Sequence, residues 1–440
     1  MNLLYIRSAF NRVVWSISKR VVLSSFPSVT SGALRIETTN GKTITLGQSP
    51  PTAPIPSITV HHDRFWVRVL IFGDIGFAQS YMRHEISSID LTAVLEFFVN
   101  NSVVTKKPAS AGLLPWLFGA VGWLILEKPT NDIKTSRFNA KEHYSKSNNI
   151  FRAFLSPDMT YSAPIWLPKK DPRSRVETLE DAQLRKLEYA VSQTRLRASD
   201  HVLEIGTGWG SFAIMAARKS GCRVTTVTLN DEQKLLAEER IMQAGLNDRV
   251  RVLKADYREL NGIGPFDKIV SIEMIEHVGH EFLGTFFECM DRYLKVHGGI
   301  GYFQCITIPE TRYEQYCRSE DFIRRYMFPG GHLPTVSGLV ANIDRGSRGK
   351  LIVEEIKSVG VNYPRALRSW KESFQANFEV KIVPALRESN PRMTVAEIDL
   401  FRRTWEYYFS YCEAGFKTKS LGNFAITVGR ENCMAFLEDP

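Results

Sequence analysis

The sequence predicts an α/β protein: a C-terminal region built on a parallel sheet with helices on both faces, preceded by a smaller α+β region. Three observations carry this. From residue 200, short apolar strand candidates alternate with helical stretches, the mark of strand–helix–strand units. The first of these strands runs into a glycine turn and then a helix, at Val202-Leu203-Glu204-Ile205-Gly206-Thr207-Gly208-Trp209-Gly210. Before residue 130 the chain shows a hairpin signal, a proline-rich stretch and helical runs. The 440 residues are 44% hydrophobic and 23% charged, with 26 Phe. That is enough for buried cores and ordinary for a globular protein. At about 100–200 residues per domain, two or three domains are expected. The boundaries are set at residues 1–130 for the accessory part and 131–440 for the α/β part.

The elements follow in chain order. The first 36 residues hold Arg7, Arg12, Lys19, Arg20 and Arg35 and no acid, with Leu3, Leu4, Ile6, Phe10, Val13, Val14, Trp15 and Ile17 among them. This basic amphipathic segment suits an anionic headgroup layer, and a mitochondrial presequence has the same look. The net charge of +9 therefore points to a membrane surface rather than nucleic acid, and a peripherally membrane-associated protein of the cytoplasm is expected. Residues 30–47 read as a hairpin around Asn40-Gly41. Residues 50–56 are a loop, and residues 64–100 read as strand, turn at Gly73-Asp74, and helices. The apolar run Ala111–Leu126 has 16 residues, short of the roughly 20 that a spanning helix needs. It reads as buried or interfacial. A polar linker near 127–140 closes this part.

In the second part the strand candidates are His201–Gly206, Arg223–Leu229, Arg249–Asp256, Phe266–Glu273, Ile300–Ile308 and Asn423–Arg430. Helices are expected at Ser211–Lys219, at Asp231–Ala244 with Asp231 as cap, and around 394–415. Residues 311–350, rich in aromatic and basic side chains, interrupt the alternation and read as a lid or substrate cap. The six cysteines form no CxxC pair, which argues against a disulfide scaffold or a zinc site.

Ligands of such sheets sit beyond the carboxyl ends of the strands, and the chemistry-bearing residues fall there. The Gly206, Gly208 and Gly210 turn permits close backbone approach. A dinucleotide fingerprint would want glycine at Ser211 and an acid near Thr228-Leu229-Asn230; the chain has neither. A methyl donor without pyrophosphate fits better. The fourth strand runs into Glu273-Met274-Ile275-Glu276-His277, with His280 beyond. Acids there can act as base or charge stabiliser, or simply cap a helix. His143-Tyr144 and the stretch Met159 to Trp166 precede the sheet. Their aromatics serve a core, or a sulfonium cation.

Taken together, these residues resemble the cyclopropane-fatty-acyl-phospholipid synthase family. The likeness runs through Phe65 to Leu70, Gly73 to Met82, HYSKSNNIFRAFLSPDMTYS, LEIGTGWGS, TLNDEQ, ADYREL, FDKIVSIEMIEHVGH, FIRRYMFPGGHLP, Tyr363–Trp370 and Trp405–Phe416. It implies a Rossmann-like class I methyltransferase with a seven-stranded, mostly parallel sheet, a helical cap and a smaller N-terminal α+β accessory domain. The implied cofactor is S-adenosylmethionine, held by Tyr161, Ser162, Glu204, Gly206, Gly208, Gly210, Thr228, Leu229, Gln233, Asp256, Tyr257 and Arg258. The implied catalytic residues are Glu276, Tyr363, Gln304 and His277. Glu276 and Tyr363, with the Ile306 backbone, would hold a bicarbonate that takes the proton in ring closure. The implied substrate is an unsaturated phospholipid or another lipid-like molecule at a membrane surface, and a homodimer is compatible with the family. Two positions depart from the bacterial pattern. Ala163 stands where a cysteine is usual, and Gln304 where a histidine is usual. Ala163 keeps a backbone donor; Gln304 hydrogen-bonds but cannot become cationic. A methyltransferase for a soluble natural product and an inactive lipid-binding homologue are the other readings.

Overall fold

The computed structural model describes residues 3–24, 29–50, 53–101, 148–260 and 262–437. The apolar run Ala111–Leu126, the linker near 127–140 and His143-Tyr144 lie outside the described residues. Two compact units emerge. One takes the described residues of Met1–Lys141 with Glu320–Pro329 and Arg392–Thr418; the other takes those of Glu142–Ser319, Gly330–Pro391 and Lys419–Pro440.

The first unit opens with the helix Leu3–Ser24, formed over the acid-free basic segment. Its Val14, Ser18 and Val22 are buried, while Val13 and Ile17 are exposed. A four-stranded sheet follows, made of β1 (Ala33–Glu37), β2 (Thr43–Gly47), β3 (Ser57–Val60) and β4 (Ile86–Ser87), in the order β2-β1-β3-β4. β1 and β2 pair antiparallel as the hairpin expected around Asn40-Gly41. The strand expected after residue 64 is instead helix: Arg64–Met82 is helical, broken only at Gly73, whose φ of 57° is left-handed. A short continuous apolar run fits a buried helix as well as a strand. The break lets the two halves pack closely, since a Cβ on Gly76 would lie 2.1 Å from the Arg68 carbonyl oxygen.

The helix Val395–Lys417 belongs to this unit by its contacts. Buried Arg403 donates to the carbonyls of Tyr81 at 2.6 Å and Ile86 at 3.0 Å. Thr92 donates to Glu413 at 3.0 Å. A single cut near residue 130 therefore misses it, because bonds spanning more than 300 residues leave no local mark. Among the described residues, no helix is long and apolar enough to cross a membrane.

The second unit is a seven-stranded sheet. Its strands are β5 (His201–Ile205), β6 (Arg223–Thr228), β7 (Val250–Lys254), β8 (Lys268–Ile272), β9 (Ile300–Thr307), β10 (Leu351–Ser358) and β11 (Gly422–Arg430). The order is β10-β11-β9-β8-β5-β6-β7. β11 runs antiparallel to β9 and β10, and the other neighbours are parallel. Alternate side chains of the central strands feed two cores. Leu203, Ile205, Ile269 and Phe303 pack on one face, Val202, Val224, Val270 and Tyr302 on the other. The six strands read from sequence match to within two residues; β10, with one side largely exposed, did not stand out.

The helix Asp231–Gln243 is capped by Asn230, not Asp231: the Asn230 side chain accepts the Gln233 N–H at 3.1 Å. Asp231 pairs with Lys254 at the surface. Asn230→Ala should lower stability by about 1 kcal/mol, read as a shifted denaturation midpoint with an unchanged slope. An unshifted midpoint would assign the helix start elsewhere.

Candidate active site

The carboxyl ends of β5, β6, β7 and β8 carry the residues expected to hold a nucleoside donor. After β5, Gly206, Gly208 and Gly210 all have positive φ. A Cβ on Gly206 would come within 3.2 Å of the Met274 Cβ, whereas one on Gly208 would meet open space. The loop thus needs glycine and leaves room above it. At the end of β6, the Thr228 hydroxyl donates to Gln233 Oε1 at 3.0 Å, and Leu229 is exposed. At the end of β7, Asp256 accepts three bonds from Arg258, which hold its carboxyl below the usual range. The Tyr257 ring packs on Phe286. These residues fit S-adenosylmethionine: polar groups at two strand ends and a glycine loop open to a ligand.

Tyr161 sits among Phe151, Phe154 and Trp370, with ring centroids 5.1–6.0 Å apart. Ser162 is fixed from the helix Leu179–Gln193: Lys186 Nζ donates to its Oγ at 2.9 Å and Gln183 to its carbonyl at 2.8 Å. Lys186 is fully buried. Burial pushes its amine down to about 8, against the pull of Glu273, Asp158 and Glu204. Glu204 lies inside the sheet, where burial pushes it up to about 8 and Thr226 and Lys186 oppose the rise.

Past the end of β8, the structure adds a residue that sequence reading did not select. Glu273 accepts from Ala163 N at 2.9 Å, Gln304 Nε2 at 2.9 Å and Asn423 Nδ2 at 2.5 Å, all on Oε1. Its Oε2 accepts from the Tyr363 hydroxyl at 2.5 Å. Ala163, Gln304, Asn423 and Tyr363 are all buried. Gln304 and Asn423 come from β9 and β11, whose register sets Ala425 opposite Gln304 and Asn423 opposite Ile306. Glu273 itself has φ 50°, a left-handed conformation that costs a non-glycine residue about 1–3 kcal/mol and persists where surroundings impose it. Gln304 and Tyr363 converge on Glu273.

Glu276 lies beside this cradle on the short turn Ile275–His277. Its Oε1 accepts the Ile306 N–H at 2.6 Å, and its carbonyl accepts the His332 N–H at 2.8 Å. Its buried Oε2 has no hydrogen-bond partner among the described residues. Burial first, then the neighbouring Glu273 charge, hold its carboxyl well above the usual carboxylate range. His277 is exposed on the same turn. His280 reaches Tyr313, whose hydroxyl bridges it to His332 at 2.8 and 3.0 Å. The cap segments Glu310–Arg318 and Gly330–Thr335 thus join the rim of the site. Asn423, Gln183 and Lys186 were also missed. Glu273 alone carried a signal, as the first acid of the Glu-Met-Ile-Glu run.

The chain was compared with known proteins. The sequence profile described as mycolic acid cyclopropane synthetase matches residues 131–426. A tuberculostearic acid methyltransferase of Mycobacterium tuberculosis is 33% identical over 387 residues, covering 88% of this chain and 85% of that protein. The cyclopropane-fatty-acyl-phospholipid synthase of Escherichia coli is 30% identical over 382 residues, covering 85% and 87%. Among solved structures, a cyclopropane synthase of M. tuberculosis superposes with a TM-score of 0.56 at 23% identity, covering 69% of this chain and 99% of that one. A coclaurine N-methyltransferase reaches a TM-score of 0.61 at 16% identity, covering 80% and 99%, a likeness of fold alone. With the glycine loop, the strand-end residues and the profile in agreement, the chain belongs to the mycolic acid cyclopropane synthetase family and is an S-adenosylmethionine-dependent methyltransferase.

Proposed function

We propose that this enzyme methylates an alkene carbon in the acyl chain of an unsaturated lipid, with loss of a proton from the methylated chain. The observation that carries the reading is the pair of neighbouring carboxyl groups past the end of β8, half-buried Glu273 and buried Glu276. Among the described residues, no cationic side chain is hydrogen-bonded to either. Two named relatives act, by their names, on fatty acyl substrates, and this chain covers more than four-fifths of each.

S-adenosylmethionine supplies an electrophilic sulfonium methyl when bound. An alkene offers nothing polar to grip, so the protein must align it with that methyl at about 3–3.5 Å. Half-buried Tyr161, backed by the buried rings of Phe154 and Trp370, offers an aromatic face of the kind that attracts cations. Positive charge then passes from sulfur to carbon, and a carboxylate hydrogen-bonded by neutral donors stabilises it at both stages. A low-dielectric site strengthens that attraction. Burial and the neighbouring Glu273 favour the protonated form of Glu276. A proton lost to the protein leaves the acyl chain one CH2 heavier, as a ring or a methylene branch. A saturated methyl branch would need a separate reductant.

Membrane association is part of the same proposal. The helix Leu3–Ser24 has no acid, and its exposed positions combine Arg12 and Arg20 with Val13 and Ile17. Such a face suits an anionic lipid surface, where acyl substrates reside.

Two outcomes are expected. Lipids from a host expressing the chain should show unsaturated acyl groups heavier by one CH2, read by mass spectrometry with a labelled methyl donor. Label found only in small soluble molecules would replace the lipid reading. The protein should co-sediment with anionic vesicles more than with neutral ones, and salt should weaken this by screening; equal binding to both would remove the electrostatic part.

A further inference from the structure

We infer that the Glu273 carboxylate is a built-in proton acceptor, occupying the place where the family resemblance puts a bicarbonate ion, so that this enzyme works without bicarbonate. The inference rests on the proposed acyl-chain methylation for the step it serves. The occupancy of the cradle stands on geometry alone.

The groups that would hold bicarbonate are already engaged. Tyr363, Gln304 and the Ala163 N–H are the donors of the pocket, and all three are satisfied by Glu273. Asn423 adds a fourth bond to the same carboxylate. The Ile306 N–H is taken by Glu276. A bicarbonate placed here would find its donors taken and face two carboxyl groups, half-buried Glu273 and buried Glu276. The residues present therefore do not fit the ion.

Glu273 fits the role in its place. A carboxylate has roughly four lone-pair directions, two on each oxygen. Oε1 takes three donors and Oε2 only one. Oε2 therefore keeps a direction free for a proton. All four donors are neutral groups that orient the carboxylate, and the buried Lys186 amine, which feels its charge, donates to Ser162 instead. A carbocation is so strong an acid that even a well-solvated carboxylate can deprotonate it; position matters more than basicity. The left-handed backbone at Glu273 is a second, independent mark of a residue kept for its side chain.

The alkene π pair forms a carbon–carbon bond to the sulfonium methyl, and the methyl–sulfur bond breaks onto sulfur, giving S-adenosylhomocysteine and a carbocation. Glu273 Oε2 takes a proton from the carbon next to the cationic centre or from the new methyl. The freed C–H pair closes the double bond or the ring. The proton then leaves Glu273 for water.

Glu273→Gly and Glu273→Gln separate the outcomes. Glycine accepts the φ of 50° without strain and empties the cradle; glutamine fills it with a neutral amide. The first readout is binding of carbon-13-labelled bicarbonate, followed by NMR line broadening on the purified full chain with S-adenosylhomocysteine. The wild type and Glu273→Gln should show no binding, and Glu273→Gly should bind. The second is turnover on vesicles of unsaturated phospholipid in carbonate-free buffer. The wild type should be unaffected by added bicarbonate. Both variants should fall about 10²–10⁴-fold, the size of a lost general base, and only Glu273→Gly should recover when bicarbonate is added. Donor binding, measured by calorimetry, should survive in both. Bicarbonate binding to the wild type, bicarbonate-dependent wild-type turnover, or full activity in Glu273→Gln would each overturn the inference. Absence of wild-type turnover on every unsaturated lipid would instead defeat the substrate reading, while the binding readout would still decide who occupies the cradle.

Discussion

The Glu273 carboxylate is the point on which the catalytic unit converges. It draws donors from the Tyr161–Ala163 segment, from β9, from β11 and from the first residue of the helix Tyr363–Asn377. Each of those pieces is held by something else. Ser162 is fixed by Lys186 and Gln183, and β11 is locked between β9 and β10. The sheet thus does more than bury apolar surface. Its order brings β9 and β11 side by side, so that two amides far apart in the chain reach one carboxylate. A buried carboxylate without such donors would be costly, and the donors without it would be unsatisfied in turn.

The same economy explains the neighbouring charges. Loss of water and the neighbouring Glu273 charge both disfavour the ionised form of Glu276. The pair resolves by environment. Glu273 has four hydrogen bonds; Glu276 has the Ile306 N–H on one oxygen and none on the other among the described residues. Burial and its neighbour keep Glu276 toward the protonated form. On the proposed reading, the hydrogen-bonded Glu273 carboxylate stands where positive charge develops, the arrangement that electrostatic catalysis requires.

Much of this was legible in the sequence, and what was not has physical causes. Strand periodicity and the glycine turn placed β5, β6, β7, β8 and β9 well, because their side chains are sorted by burial on both faces of the sheet. The donor loop was legible because Gly206 and Gly210 meet a backbone demand that only local sequence expresses. The helix Arg64–Met82 was misread because its apolar run has no clean period and its break lies at a glycine that also suits a turn. The partners of Glu273 were illegible: Asn423 and Glu273 are 150 residues apart, and only the pairing of β11 with β9 brings them together. Family resemblance pointed to Glu276, Gln304 and Tyr363, and the last two do meet. They meet on a carboxylate that the resemblance did not supply.

The most direct test of this account is a high-resolution crystal structure grown from bicarbonate-containing solution with S-adenosylhomocysteine bound. The account predicts continuous density from the Glu273 backbone to a carboxylate between Ala163 N, Gln304, Asn423 and Tyr363, with no separate anion there. A flat, three-oxygen density in that place, with the Glu273 side chain turned away, would contradict it.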